Sequence, residues 1–273
     1  MELAGAVVVI TGAGRGIGAG LARRLAGEGV EALVLVDHDG PAAARVAAEL
    51  RAGHPRLRAT EVTADVVDPE QVEAFVERTI SVLGRIDLFV ANAGVGGGGG
   101  IEAPDDVWQH TWDVNVMAHV HAARAVVPHM VDRGRGAFVT TASAAGLLSN
   151  LGNAPYSVTK HAAVAFAEWL AITYGERGLY VACICPMGVD TDLLRSGATT
   201  LEGASVAALP VLTVEDACDS IVAGLLAGRF LVLTHPETAQ YELFRVADRD
   251  RWIAGMQRQQ AKVLATLRAQ GHH

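Results

Sequence analysis

Short apolar runs alternate along this chain with longer stretches of helical spacing. Seven runs stand out, at residues 6–11, 32–36, 58–62, 88–91, 137–141, 181–185 and 230–233. Most are continuously apolar, the pattern of strands buried on both faces of a parallel sheet. Between them, residues 16–27 place Ile17, Leu21 and Leu25 four apart on one helical face. Residues 69–83 open with Asp68 as a cap and Pro69 at the first helical position. Residues 105–133 predict a long helix bent near Pro128, and residues 155–177 a long, mostly apolar one. Residues 214–227 follow Thr213, an N-cap with Asp216 three residues on. This alternation predicts right-handed βαβ units and a doubly wound α/β sheet.

Two stretches break the rhythm, and both follow strands, at the edge where such sheets bind ligands. Residues 96–100 are five consecutive glycines, read as a flexible linker. Residues 193–210 are small and irregular, and are expected to form a mobile lid. The tail from Trp252 to Arg268 is helix-like, and either covers the pocket or packs on another subunit.

Composition narrows the class. A chain of 273 residues suits one large domain or two small ones, and the rhythm favours one, over residues 1–270. Within it, residues 192–212 form a substrate-binding loop and residues 236–270 a C-terminal helical extension. At this length about three quarters of the unfolded surface can be buried, so the core needs no staples. The net charge of -8 and the lack of a basic stripe argue against a nucleic-acid partner. No apolar run reaches the ~18 residues of a membrane span. The apolar N-terminus lacks a basic leader and runs into a glycine loop, so it reads as a first strand and not a signal peptide.

Cys183 and Cys185 alternate along a strand, too close for a normal disulfide and without metal-binding spacing. With Cys218 they read as core residues of a reducing, cytoplasmic compartment. His119, His121 and His129 lack acidic neighbours and are expected at a surface or interface, with no metal site. His235 is left unassigned, and Gly271-His272-His273 reads as a tag remnant.

The candidate chemistry begins at residues 11–18, Thr-Gly-Ala-Gly-Arg-Gly-Ile-Gly, between the first strand and helix. Gly12 permits a tight turn, while Gly16 and Gly18 let the backbone approach a pyrophosphate and the helix pack on the sheet. Asp37 ends the second strand, nineteen residues past Gly18. There a carboxylate can hold both ribose hydroxyls of NAD and repel the 2′-phosphate of NADP. Arg15 pulls the other way, since a guanidinium pairs with that phosphate. Asp37 would sit at the ribose itself, so NAD is expected over NADP.

Tyr156 and Lys160, four apart, share a helix face. A free tyrosine has a pKa near ~10, and a proton carrier needs one closer to ~7, a shift worth roughly 4 kcal/mol. The neighbouring ammonium supplies part of that by favouring the phenolate. Ser143 lies just beyond the fifth strand, where its hydroxyl can bind a substrate oxygen beside Tyr156.

Together these motifs resemble the short-chain dehydrogenase/reductase family in its short cofactor-binding form, over roughly residues 3–235. The resemblance rests on Thr11-Gly12, Gly16-Ile17-Gly18, Asp65-Val66, Ala91-Asn92-Ala93-Gly94, Asn115, Ser143, Tyr156, Lys160 and Pro186-Met187-Gly188. It implies a Rossmann domain with a seven-stranded parallel sheet of order 3-2-1-4-5-6-7 and helices on both faces. By it, Asp65 and Val66 border the adenine, and Asn92, Ala93 and Gly94 flank the ribose and support the central strand. Asn115 would complete a tetrad by holding a water beside Lys160, which also binds the nicotinamide ribose. Pro186, Gly188, Val189 and Thr191 would meet the nicotinamide. Ala91 and Met187 stand where the family often has Asn and Gly, and neither change removes a tetrad group. The helices at 105–133 and 155–177 would pair across a homotetramer or homodimer interface.

The expectation is an NAD-dependent oxidoreductase interconverting a secondary alcohol and a ketone. Leu193, Leu194, Val206, Leu209 and Leu212 on one loop, and Leu147, Leu148 and Leu151 on another, suggest a bulky hydrophobic or aromatic small molecule. The alternatives are an NADPH-dependent carbonyl or 3-oxoacyl reductase and, less favoured, a non-enzymatic dinucleotide sensor.

Overall fold

The computed structural model describes residues 1–196, 200–207 and 209–269; the tag-like residues 271–273 and part of the 193–210 loop lie outside these. Its strands are β1 Val7–Thr11, β2 Ala32–Asp37, β3 Arg58–Thr63, β4 Leu88–Ala91, β5 Gly136–Thr141, β6 Leu179–Cys185 and β7 Leu231–Leu233. They form one seven-stranded sheet in the order β3-β2-β1-β4-β5-β6-β7, parallel throughout. The chain runs outward from β1 to β3, then returns to place β4 beside β1. That reversal opens a crevice at the carboxyl ends of β1 and β4.

The helices are α1 Gly16–Ala26, α2 Gly40–Gly53, α3 Pro69–Leu83, α4 Asp105–Trp112, α5 Ala118–Asp132, α6 Ala145–Leu148, α7 Ala154–Tyr174, α8 Asp192–Ser196, α9 Leu201–Ala207, α10 Val214–Leu226, α11 Glu237–Ala247 and α12 Arg249–Ala269. Side chains alternate across each strand, so each face of the sheet has its own core. Leu21, Leu25, Val46 and Ile221, from α1, α2 and α10, pack with Val8, Ile10, Leu33 and Leu35. On the other face Phe75, Val126, Met130 and Leu170, from α3, α5 and α7, pack with Val9, Val34, Phe89 and Phe138. Both faces are buried, which explains the continuous apolar runs.

Two expectations change, for residues 105–133 and 193–210, and two further segments take definite form. Residues 105–133 are interrupted by a π turn at Asp113–Met117, while Pro128 lies inside α5. The segment after Asp37 becomes α2, because the Asp39 carboxylate accepts the Ala42 N–H at 3.0 Å and a proline sits in the first turn. The 193–210 stretch contains α8 and α9. The tail forms α11 and α12, and α12 packs on α9.

At the opposite, amino-terminal edge of the sheet Asp87 ties three segments together. Its carboxylate accepts from the Val7 N–H (3.0 Å), Arg85 (2.8 Å) and Arg133 (2.8 Å).

Candidate active site

The glycine loop is packed as tightly as a backbone allows. A Cβ on Gly18 would stand 2.1 Å from the Gly12 carbonyl oxygen, and one on Gly14 would stand 2.8 Å from Ala42 Cβ. Asn92 braces the loop from the end of β4, its Nδ2 donating to the carbonyls of Thr11 (3.0 Å) and Gly12 (3.3 Å). The Thr11 hydroxyl accepts from the N–H groups of Asn92 and Ala93. Asp37 is only 4% exposed. Its Oδ2 accepts the Gly14 N–H at 2.8 Å and its Oδ1 the Asp39 N–H at 2.9 Å. Oδ1 also lies 3.3 Å from His38 Nδ1, and Oδ2 keeps a further lone pair for a ligand hydroxyl. Arg15, at the N-cap of α1, is exposed, and its charge reaches Asp192 on α8.

Across the crevice, Thr191 Cγ2 lies 3.4 Å from the position of a Cβ on Gly16, so the segment after β6 faces the glycine loop. Pro186, Gly188 and Val189 are buried in that segment. Val66 is half-buried and Asp65 exposed beyond β3, with the Asp65 carboxylate accepting the Val67 N–H.

A second cluster centres on α7. Asn153 caps this helix by accepting the Tyr156 N–H at 3.1 Å. Lys160 is 3% exposed. Its Nζ donates to the Thr141 carbonyl at 3.0 Å and stands 5.6 Å from the centre of the Tyr156 ring. Ser143 accepts the Ala145 N–H at 3.1 Å, donates to the Pro186 carbonyl at 3.4 Å, and lowers the pKa of the neighbouring Tyr156. Asn115 lies in the π turn, fully buried, with its side chain paired to the Val95 N–H and carbonyl (both 2.9 Å) and to Thr159 (3.2 Å). A Cβ on Gly94 would lie 3.3 Å from both Asn115 Oδ1 and Lys160 Nζ, so this glycine keeps the space between them open.

Burial dominates the electrostatics. It pushes Tyr156 up to about 12, reinforced by Glu202 and opposed by the Ser143 hydrogen bond. It pulls Lys160 down to about 8, against Cys183 and Cys185 beneath it. The expected depression of Tyr156 by Lys160 is therefore absent, because removing the phenolate from water outweighs an ammonium turned toward Thr141. His119 is a second correction, being 1% exposed and not superficial. Burial, then the Lys160 charge, lower it to about 3 against a smaller opposing effect of the Ala93 backbone, so it is neutral.

The glycine run is a wall and not a linker. The Gly99 carbonyl accepts the Ala154 N–H at 3.0 Å. A Cβ on Gly97 would meet Pro155 Cβ at 2.8 Å, and one on Gly96 would meet Leu193 Cδ1 at 3.2 Å. Opposite, Leu212 pairs with Gly188 and Asp190, and His235 bonds the Pro210 carbonyl at 3.1 Å. Leu147 and Leu148 are buried in the core beneath α7 instead of standing free at the cleft. Glu202, Asn150 and Asn153 join this region, and sequence reasoning missed all three. Only Asn153 carried a local signal, as a capping residue before Ala154-Pro155.

A nicotinamide dinucleotide fits these residues, since the loop is a cradle that side chains would fill and a buried carboxylate stands at its ribose end. Among the described residues no group of three or more His, Cys, Asp or Glu can hold a metal ion. The architecture is that of a dinucleotide-dependent oxidoreductase. A family profile described as short chain dehydrogenase matches residues 6–201. The 1-deoxy-11-beta-hydroxypentalenate dehydrogenase of Streptomyces exfoliatus is 40% identical over 208 residues, covering 75% of this chain and 74% of that protein. A short-chain dehydrogenase/reductase from Burkholderia phymatum, solved with NAD, aligns with TM-score 0.82 at 30% identity, covering 92% of this chain and 96% of that one. A short-chain dehydrogenase from Sphingobium yanoikuyae, solved with NADPH, aligns with TM-score 0.77 at 27% identity, covering 91% and 95%. The chain belongs to the short-chain dehydrogenase/reductase family and is an oxidoreductase of alcohols and ketones.

Proposed function

We propose that this enzyme is an NAD-dependent dehydrogenase interconverting a bulky, mainly apolar secondary alcohol and its ketone. The observation that carries the cofactor choice is the Asp37 carboxylate, buried against the Gly14 N–H at 2.8 Å. A 2′-phosphate brought beside it would meet a like charge in a poorly solvated position. Titrating the purified protein with NADH and NADPH tests this, and tighter NADPH binding overturns it. The second reading, an NADPH-dependent reductase, rests on exposed Arg15 at the N-cap of α1.

When bound, the cofactor supplies the hydride acceptor or donor. In the oxidation direction the Tyr156 oxygen takes the alcohol proton, and Ser143 holds the alcohol oxygen beside it. The Lys160 ammonium supports the ribose, 5.6 Å from the centre of the Tyr156 ring. Asn115, through the π turn and Val95, keeps open the channel past Gly94 by which the proton leaves. Tyr156→Phe is expected to lower kcat by about a thousandfold or more, within the range for loss of acid–base catalysis, and to leave NADH binding intact. Wild-type turnover in this variant sinks the mechanism.

Leu193 stands against Gly96 across the cleft, and Val206 lies 3.3 Å from the position of a Cβ on Gly188. These apolar neighbours, and a relative named for a hydroxypentalenate, support the substrate class. Turnover of small charged alcohols alone would refute it. On the outer face of α7, Trp169 (54% exposed) and Ile172 (82%) form an apolar surface suited to pairing with a second copy. A monomer in light scattering contradicts that assembly.

A further inference from the structure

We propose that Glu202 is a positioning residue that latches the substrate loop to the cap of the Tyr156 helix, and so sets substrate affinity. The inference deepens the reading above and rests on it for the role of Tyr156. Glu202 is on α9, in the loop after β6. Its Oε2 accepts from Asn153 Nδ2 at 2.7 Å, and its Oε1 from Asn150 Nδ2 at 2.8 Å. Asn153 is 1% exposed, and its other side-chain atom, Oδ1, takes the Tyr156 N–H at 3.1 Å. One amide therefore links the loop carboxylate to the backbone of the reacting tyrosine. Asn150 is tied in turn to α7, its N–H donating to the Ser157 hydroxyl at 2.8 Å.

The surroundings favour a built contact over a chance one. Leu201 closes against Gly152, where a Cβ would stand 2.9 Å from Leu201 Cβ, and α12 packs on α9. Burial raises the Glu202 carboxyl, while Asn153 and Asn150 pull it back, and its charge acts on Tyr156. The contact has a direction. Asn153 must present its Nδ2 to the loop, because its Oδ1 is committed to the helix cap. Asn150 has no such commitment and can turn its amide over.

That asymmetry supplies the test. In Glu202→Ala the latch is lost, the buried Asn153 amide and the half-buried Asn150 amide lose their acceptor, and the loop is released. Glu202→Gln can accept from Asn153 and donate to a turned Asn150, so it retains the latch. Asn153→Asp keeps the helix cap but sets two carboxylates face to face. The double variant Asn153→Asp/Glu202→Gln restores a donor between them. Amide hydrogen exchange of the full chain should speed up at residues 150–153 and 200–207 in Glu202→Ala and Asn153→Asp, and return toward wild type in Glu202→Gln and the double variant. With 1-phenylethanol as probe substrate, KM should rise about tenfold in the two broken variants, with kcat changing far less and NADH affinity unchanged. Wild-type exchange and KM in Glu202→Ala overturn the latch. So does failure of the double variant to recover what Asn153→Asp loses. Exchange reads the latch without turnover, so an inactive wild-type protein would fail the proposed dehydrogenase reading and leave this one standing.

Discussion

Asp37 does two jobs with one carboxylate. It holds the glycine loop through the Gly14 N–H and, in the proposed function, meets the cofactor ribose. Asp37→Asn should cut the preference for NADH over NADPH by about tenfold, the effect of replacing a charge-assisted hydrogen bond by a neutral one; paired titrations measure it. Tyr156 predicts a pH dependence. With its pKa held near about 12, the ionised fraction grows as pH rises, so alcohol oxidation should accelerate from neutral to alkaline pH. An oxidation rate that falls with pH across that span would contradict a tyrosinate base. Asp37, Ser143, Tyr156 and Lys160 could be singled out in the chain because each stands at a strand end or at helical spacing from its neighbour. Glu202 was not, because its partners lie 49 and 52 residues away. His119 had a signal that was passed over. It falls in register with Ala122, Ala123, Val126 and Met130, the buried face of α5.

Among elements, β1, β2 and β4 were legible because burial on both faces leaves little but aliphatic residues, whereas the edge strand β3 is polar and mostly open to solvent. The π turn at Asp113–Met117 was not, since its extra residue per turn leaves no compositional trace. The glycine run was misread for a related reason. Missing side chains look like flexibility, yet Gly97 is glycine because Pro155, Asn153 and Thr111 crowd its Cβ position. Gly97→Ala should displace the wall from α7 and raise KM several-fold, whereas a Cβ at Gly98 meets nothing but carries a positive φ of 90°. Kinetics and melting curves separate the two, with Gly97→Ala changing KM and Gly98→Ala chiefly Tm. Ser149, which ends α6, adopts φ 70° and ψ 149°, a region suited to glycine. Ser149→Gly should stabilise the protein by about 1 kcal/mol in chemical denaturation.

The whole molecule separates stability from chemistry along its strands. The candidate site occupies the carboxyl edge of the sheet and the Asp87 clamp the opposite one. Burial alone would raise the Asp87 carboxyl, but Arg133, the Val7 N–H and Arg85 together hold it below the usual range. A depressed folded-state pKa contributes stability that is present above the unfolded value near ~4 and lost as pH falls through the folded one. Asp87→Ala should therefore cost about 2 kcal/mol at neutral pH and less in acid, with cofactor affinity unchanged. Equal destabilisation at both pH values would contradict the clamp.

Residues 96–100 meet the cleft with bare peptide groups. At Gly96, which faces Leu193, the cavity stands at its upper limit of size, and any side chain there can only narrow it. The wall therefore works as a graded sieve for directed evolution. Ala and then Val at Gly96, facing Leu193, should reject alcohols in descending order of bulk. Selectivity on this side is reached by loss of substrates, never by gain.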